Sequence, residues 1–249
     1  MCRISCISFI AFVATLPQNL GALECKYILH HDTEFAVCKV DASAEDIRLF
    51  HRHPKSGETL SSFNNVQELL AESNTQLDFA MNAGIYHQDR SPVGLYVERG
   101  HILREIITTA GPGNFGMLPN GVFCVQTKRA DVIESRAFLN KDIVCDYATQ
   151  SGPMLVIDGD LHPRFIEGSD SVFLRNGVGT SSDGREVYFA MSTQPVNFIS
   201  FATLYRDRLK VSQALYLDGK ISRLFAPSLE RRDYGLPMGP IIGVVGKSN

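Results

Sequence analysis

The residues from Met81 to Gly94, MNAGIYHQDRSPVG, crowd polar side chains into one short loop. Asn82, His87, Gln88, Asp89, Arg90 and Ser91 are interrupted by Gly84, Pro92 and Gly94. Glycine lets a backbone pass close to a ligand, and Pro92 stiffens the exit. His87 or Asp89 could move a proton and Asn82 could hold a hydroxyl. An ordinary polar hairpin connection has the same composition. Three further segments set polar residues beside glycine: Gln150-Ser151-Gly152-Pro153, Arg175-Asn176-Gly177-Val178-Gly179 and Leu217-Asp218-Gly219. Each alone reads as a turn, but strand ends on one rim of a sheet can converge on a cleft. Arginine, amide and carboxylate together suit a ligand with anionic and hydroxyl groups, such as a sugar phosphate. Arg175 lies in the apolar run Val172–Gly179, where it must be paired or must face a ligand, because an isolated buried charge costs several kcal/mol.

Several catalytic signatures are missing: the phosphate loop G-x-x-x-x-G-K-[ST], the zinc helix H-E-x-x-H and the elbow G-x-S-x-G. Ser151 precedes Gly-Pro and reads as a turn residue. Of the histidines, His30-His31 and His51/His53 read as surface positions, and His87 alone lies in a suggestive loop. Gly111 to Gly116 matches G-x-G-x-x-G, with Asp131 twenty residues after Gly111. A dinucleotide site needs a helix to open there, whereas Pro119, Asn120-Gly121 and the strand-like Val122–Val125 follow, so the match is read as accidental. No cofactor or resident metal is expected. Asp158-Gly159-Asp160 has the oxygen donors of a calcium-binding turn and the composition of a solvated one.

The elements that must position these segments are mostly strands. Tyr27–Leu29 and Phe35–Val40 flank a turn at Asp32, and Ile47–Arg52 alternates apolar and polar. Leu77–Met81 leads into the polar loop; Val93–Val97, Ile102–Ile107, Val122–Val125 and Asp131–Phe138 follow as strands. Met154–Ile157, Val172–Gly179, Val187–Met191, Ala214–Leu217, Ile221–Phe225 and Ile241–Val245 complete the set. Two helices are predicted: Val66–Glu72, capped by Asn64 or Asn65, and a longer amphipathic one through Phe198, Phe201, Ala202, Tyr205 and Leu209, capped by Asn197. The expected fold class is α+β, one mixed, strand-rich domain over residues 23–249.

The 249 residues are enough for one large domain, and 44% hydrophobic with 20% charged residues describes a globular chain with a proper core. A net charge of −3 without a lysine or arginine run gives no nucleic-acid footprint. Met1–Ala22 reads as a secretory signal: Arg3, an apolar stretch from Ile7 to Leu16, then Leu20-Gly21-Ala22 as the cleavage site. Ten apolar residues reach only about 15 Å, short of a bilayer core of roughly 30 Å, so no membrane span is expected in the mature chain. Cleavage leaves Cys25, Cys38, Cys124 and Cys145, which allow three pairings. Cys25 and Cys38 flank the hairpin turn, which favours Cys25–Cys38 and Cys124–Cys145; zinc is the rival, with no C-x-x-C to support it.

The combination of NAGIY, TQSGPMLVIDG, RNGVG and YLDGKIS resembles the phosphodiester glycosidase family, and Phe35 to Val245 resembles its YigE-like exported bacterial branch. The family's N-G-G-F-F-like segment is matched by Asn82–Tyr86, its S/A-G-P strand by Ser151–Pro153, its R-T-A-x-G element by Arg175–Gly179 and its L-D-G-G-G-S by Leu217–Ser222. Lys220-Ile221 replaces Gly-Gly and Asn176-Gly177 replaces Thr-Ala, which bears on substrate identity more than on reaction class. Lys220 could offer a cation to a phosphate. The resemblance implies hydrolysis of the bond between a sugar anomeric carbon and a phosphodiester. It implies Asp218 as the carboxylate facing the oxocarbenium-like transition state, Arg175 as a phosphate clamp, and Asn82 on a sugar hydroxyl. His87 or Asp89 would assist proton transfer. Gly84, Gln150, Ser151, Gly152, Asn176, Gly219 and Ser222 would contact substrate, a sugar phosphodiester or cell-envelope glycan in the periplasm or outside the cell. The alternative is a non-catalytic envelope protein that binds such a glycan in the same cleft.

Overall fold

The computed structural model describes residues 23–219 and 221–248; the expected leader Met1–Ala22 and the cation Lys220 lie outside the described residues. A first hairpin joins β1 (Leu23–His30) to β2 (Thr33–Asp41), and β3 (Asp46–Phe50) leads through helix α1 (Phe63–Ala71) to β4 (Thr75–Asn82). Next come β5 (Tyr96–Glu98), β6 (His101–Arg104), the hairpin β7 (Gly121–Gln126) and β8 (Arg129–Glu134), helix α2 (Ser135–Leu139) and β9 (Tyr147–Ser151). Strands β10 (Met154–Ile157), β11 (Asp160–Leu161), β12 (Asn176–Thr180) and β13 (Glu186–Ser192) precede α3 (Phe198–Thr203), which runs into a π-helical turn at Leu204–Arg208. The last strands are β14 (Gln213–Asp218), β15 (Leu224–Ala226), β16 (Arg231–Arg232) and β17 (Ile241–Lys247).

These strands form three antiparallel sheets, ordered β1-β2-β13-β12-β14-β10-β11, β16-β15-β4-β17-β3 and β6-β5-β9-β7-β8. Each sheet contributes one phenylalanine to their common core. Phe189 of the first stacks on Phe79 of the second at 4.9 Å and takes the edge of Phe123 of the third at 5.8 Å. All three rings are buried, as inward-facing positions of half-buried strands should be. The helices are peripheral. Phe63, Val66 and Leu70 of α1 recur at helical spacing and pack on the second sheet, while Phe201, Ala202 and Tyr205 cover the first. The α+β label therefore describes the chain only loosely: it is strand-rich, with helices as covers. No helix among the described residues is long and apolar enough to cross a membrane.

Several local expectations need correction. Ser62 caps α1, its hydroxyl accepting from the Asn65 N–H at 3.2 Å, and Asn65 itself donates to the Leu60 carbonyl. The run Asp131–Phe138 is a strand only to Glu134; the Glu134 carboxylate then caps the short α2. Val172–Arg175 stays outside the sheet, and the strand begins at Asn176. Strand β9, built on Tyr147–Ser151, carries no apolar alternation and was not expected. His51 is buried, 6% exposed, against the edge of Tyr96, not at the surface. Both favoured disulfides are present. Cys25 faces Cys38 across the β1–β2 ladder, and Cys124 on β7 reaches Cys145 in the link before β9.

Candidate active site

Where the three sheets meet, side chains from the motif segments tie them together. Asn176, the first residue of β12, donates from Nδ2 to the Asn82 carbonyl at the end of β4 (3.0 Å), joining the first sheet to the second. Thr149 on β9 donates to the Ala83 carbonyl (3.1 Å), joining the third sheet to the second. Ser151 on β9 donates to the Leu217 carbonyl (2.9 Å), joining the third sheet to the first. All of these side chains are buried, so each bond is worth most where water cannot compete for it.

The last of these bonds falls on a β-bulge. Asn176 pairs with Asp218 but the next residue, Gly177, pairs with Tyr216, which leaves Leu217 as the extra residue of β14. A bulge frees backbone groups and re-aims the strand. Here Ser151 takes the Leu217 carbonyl, and the Asn176 amide oxygen accepts the Asp218 N–H at 2.9 Å. The bulge turns Asp218 toward a cleft of about 750 Å³. Its carboxylate accepts from the Gly219 N–H at 2.6 Å.

The cleft has two walls. One is the hairpin after β4: Tyr86 bridges Pro92, the Arg90 N–H donates to the His87 carbonyl, and Ile85, Tyr86, His87, Arg90 and Val93 face the space. The other is the glycine-rich segment Gly111–Phe115, approached through Ile107 and Thr109. That segment folds back so tightly that a Cβ on Gly116 would collide with the backbone of Gly111. Tyr216, Phe173, Gly219 and Ile221 complete the lining beside Asp218. The Tyr216 hydroxyl lies over Gly219, where any side chain would overlap it. Burial, and then the Asp218 charge, push the Tyr86 phenol above its ordinary value, partly offset by Arg90 and Arg223. Burial pushes the Tyr216 phenol far up as well, so both rings stay neutral donors beside the carboxylate.

Asp218, Gly219 and His87 thus line the cleft; the other expected contacts lie elsewhere. Asn82 is fully buried, its Oδ1 accepting from the Arg223 N–H at 3.0 Å and its Nδ2 3.4 Å from Asn176 Oδ1, so it braces the sheets and does not reach the cleft. Asn176 and Ser151 serve the bulge. Gln150 spends its whole amide on the loops: Oε1 accepts from the N–H groups of Leu95 and Ile107, and Nε2 donates to the Ile107 carbonyl and Ser135 Oγ. It sets both walls from behind. Asp89 stays at the exposed hairpin tip, held low in pKa by the Ser91 hydroxyl and N–H. Ser222 donates to the carbonyls of Leu174 and Asp218, closing the turn after β14. Gly84 and Gly152 face protein, a Cβ on the first meeting Thr149 and on the second Asn120.

Arg175 is the largest displacement from expectation. It is fully buried, and its guanidinium stacks on Phe198 at 3.7 Å, with Nε donating to the Val196 carbonyl and Nη2 to that of Ser171. It lies against the Phe173 and Tyr216 rings that line the cleft without lining it itself, and its Nη1 has no hydrogen-bond partner among the described residues. Desolvation lowers its pKa, and it keeps its charge because guanidinium starts so high. Among the described residues the arginine or lysine that lines the cleft is Arg90, which leans over the Tyr86 ring at 5.7 Å. Sequence reasoning missed Tyr86, Arg90, Tyr216 and the glycine-rich wall. The signal for the last is the glycine spacing of Gly111–Gly116, which serves a tight turn here and not a dinucleotide helix. Among the described residues no three His, Cys, Asp or Glu side chains stand together to hold a metal.

Comparisons with known proteins agree on what this architecture is. The structure of the catalytic domain of zebrafish N-acetylglucosamine-1-phosphodiester alpha-N-acetylglucosaminidase, auto-inhibited by its pro-peptide, superposes with a TM-score of 0.63 over 91% of this chain and 84% of that one, at 12% identity. A putative exported protein from Burkholderia pseudomallei superposes with a TM-score of 0.56 over 85% of this chain and 74% of its own, also at 12% identity. These show a shared fold. The uncharacterized protein YigE of Escherichia coli is 39% identical over 167 residues, 66% of this chain, and the match spans 65% of that relative's length, less than two-thirds of it. The phosphodiester glycosidase family model matches residues 75–234, which hold the polar hairpin, the glycine-rich wall, the bulge and Asp218. The chain belongs to the phosphodiester glycosidase family.

Proposed function

We propose that this chain is a hydrolase that cleaves the bond between a sugar anomeric carbon and a phosphodiester oxygen, releasing free sugar and a phosphomonoester. The observation that carries the reading is the bulge-mounted carboxylate: Asp218 lines a cleft whose walls include Tyr86, Phe115, Phe173 and Tyr216. Aromatic faces suit the apolar faces of a sugar ring. A phosphate is a good leaving group and needs little protonation, so the barrier lies in the oxocarbenium-like charge. A fixed carboxylate with neutral phenols beside it stabilises that charge and directs water. Asp218 is the residue for this task, as carboxylate to the cation or as base to the water. Arg90 and His87, at the hairpin wall, face the phosphate in place of the buried Arg175. Asn82, Asn176 and Ser151 act by holding Asp218 in place.

The same reading takes residues 1–22 as a leader and 23–249 as one glycosidase-like domain working outside the cytoplasm. Two disulfides support export, since such bonds persist in oxidising compartments, and a structural neighbour is described as exported. Incubation of the purified protein with a panel of sugar-1-phosphodiesters tests the reaction. Appearance of free sugar and phosphomonoester in equal amounts supports it. Saturable binding without turnover across the panel would replace it with a glycan-binding role.

A further inference from the structure

Beside the cleft lies a second depression of about 370 Å³ that shares Phe173, Gly219 and Ile221 with it. The two spaces therefore adjoin at these three residues, one of which follows Asp218 directly. The cleft is edged by Arg90 and His87, whereas the second space is mainly apolar: Val172, Phe173, Leu174, Ile221 and Leu236 line it. Four of these are exposed, Val172 at 48%, Phe173 at 43%, Leu174 at 38% and Leu236 at 67%. Phe173 and Leu174 are held in place. Phe173 bridges Val196 through a pair of backbone hydrogen bonds, and the Leu174 carbonyl is held by Ser222 Oγ. A pinned apolar strip facing solvent beside a polar cleft marks a place where apolar matter binds.

Among the described residues, one cation lines this space. Arg223 lines it, and its backbone N–H is fixed by Asn82. The nearby carboxylate Asp233 is bonded to Arg231, and Arg223 has no salt bridge among the described residues. Its guanidinium lies beside Gly235, and its charge is felt at the Tyr86 phenol that lines the cleft.

We propose that the second depression holds an apolar chain on the far side of the phosphate, with Arg223 against the phosphate itself. The substrate class is then an amphiphilic glycosyl phosphodiester: sugar beside Asp218, phosphate between Arg90 and Arg223, and an alkyl chain of a lipid-type alcohol along Val172–Leu174 and Leu236. This orientation rests on the glycosidase reading of Asp218.

The test uses the whole protein and two series, each below its micelle concentration. Methyl, hexyl and decyl phosphate are titrated by calorimetry, and sugar-1-phosphodiesters with the same alcohols are assayed for turnover. Burying a methylene is worth about fourfold in affinity when complete, and these positions are partly open, so hexyl phosphate should bind at least tenfold more tightly than methyl phosphate. Leu236→Gln should remove most of that gain, and Arg223→Gln should weaken methyl and hexyl phosphate by the same factor. KM should fall with chain length while kcat stays level. Equal affinity along the series, or a gain that Leu236→Gln leaves intact, overturns the proposal. Chain-length-dependent binding without turnover of any diester would keep the apolar groove and remove the glycosidase reading. Turnover indifferent to chain length would do the reverse.

Discussion

The Asn176 amide oxygen accepts the Asp218 N–H at 2.9 Å across a bulge that leaves these two residues opposite each other and Leu217 unpaired. A side chain thus replaces a ladder bond at the point where the strand turns its carboxylate into the cleft. Asn176→Ala leaves that N–H and the Asn82 carbonyl without their side-chain partner in a buried setting. Stability should drop by about 2–4 kcal/mol, with kcat lowered because Asp218 is no longer fixed. Chemical denaturation and steady-state kinetics read both effects. Unchanged stability would show that water replaces the amide without loss.

Asp218→Asn separates chemistry from architecture. Asn keeps the size and an oxygen to accept from the Gly219 N–H, but it carries no charge toward the oxocarbenium-like transition state. Activity on sugar phosphodiesters should fall by several powers of ten while the melting temperature moves little. Retained activity moves the chemistry to another residue of the cleft.

Arg175 offers a contrast between a structural and a ligand-binding cation. Arg175→Ala removes the stack on Phe198, orphans the Ser171 carbonyl and leaves the Val196 carbonyl with the Phe173 N–H alone. The expected cost is about 2–4 kcal/mol, with no selective loss on charged over neutral glycosides. A variant of normal stability that loses discrimination by charge would restore Arg175 as a phosphate clamp.

That reversal shows where the sequence is and is not legible. The β1–β2 hairpin, the Cys25–Cys38 pair and the Asn197 cap follow from alternation and turn chemistry, which are local. The motif segments meet where the three sheets join, but of the four only the polar hairpin and Leu217-Asp218-Gly219 line the cleft. Which member of each segment faces the cleft is not local. Gln150 and Asn82 are drawn inward by loops and strands far away in the chain, and the burial of Arg175 depends on Phe198, which comes later by a whole hairpin. The bulge at Leu217 adds one residue to a strand and so reverses the facing of Asp218. No periodicity in Ala214–Leu217 announces it.

Reduction should cost the fold in proportion to the loops the disulfides close. Cys25–Cys38 and Cys124–Cys145 span 13 and 21 residues, and chain-entropy arguments give roughly 3 kcal/mol for each. Cys25→Ser/Cys38→Ser should lower the denaturation midpoint without altering kcat, because the β1–β2 hairpin lies at the edge of its sheet. A loss of kcat at unchanged stability would tie that edge to the cleft.

The hairpin wall carries a pH dependence through His51. Its Nε2 lies 2.9 Å from the Arg90 carbonyl, so the ring donates there and fastens the wall from behind. Burial is the largest influence and lowers its pKa below the ordinary 6.5, against a smaller opposing effect of that carbonyl. A depressed folded-state value means that the unfolded chain binds the proton first. The contribution to stability is therefore complete above pH 6.5 and is lost as the pH falls through the lower folded value. His162, 2% exposed and also lowered by burial, adds to the same slope. The neighbouring Glu98 is raised by burial and works in the opposite sense. Comparing the protein with His51→Gln, whose amide can still donate to Arg90, cancels the contributions of His162 and Glu98. The melting temperature of the wild type should fall more steeply than that of the variant between pH 7 and about pH 5. Parallel curves would mean that His51 keeps its ordinary affinity for protons and that the wall is fastened in some other way.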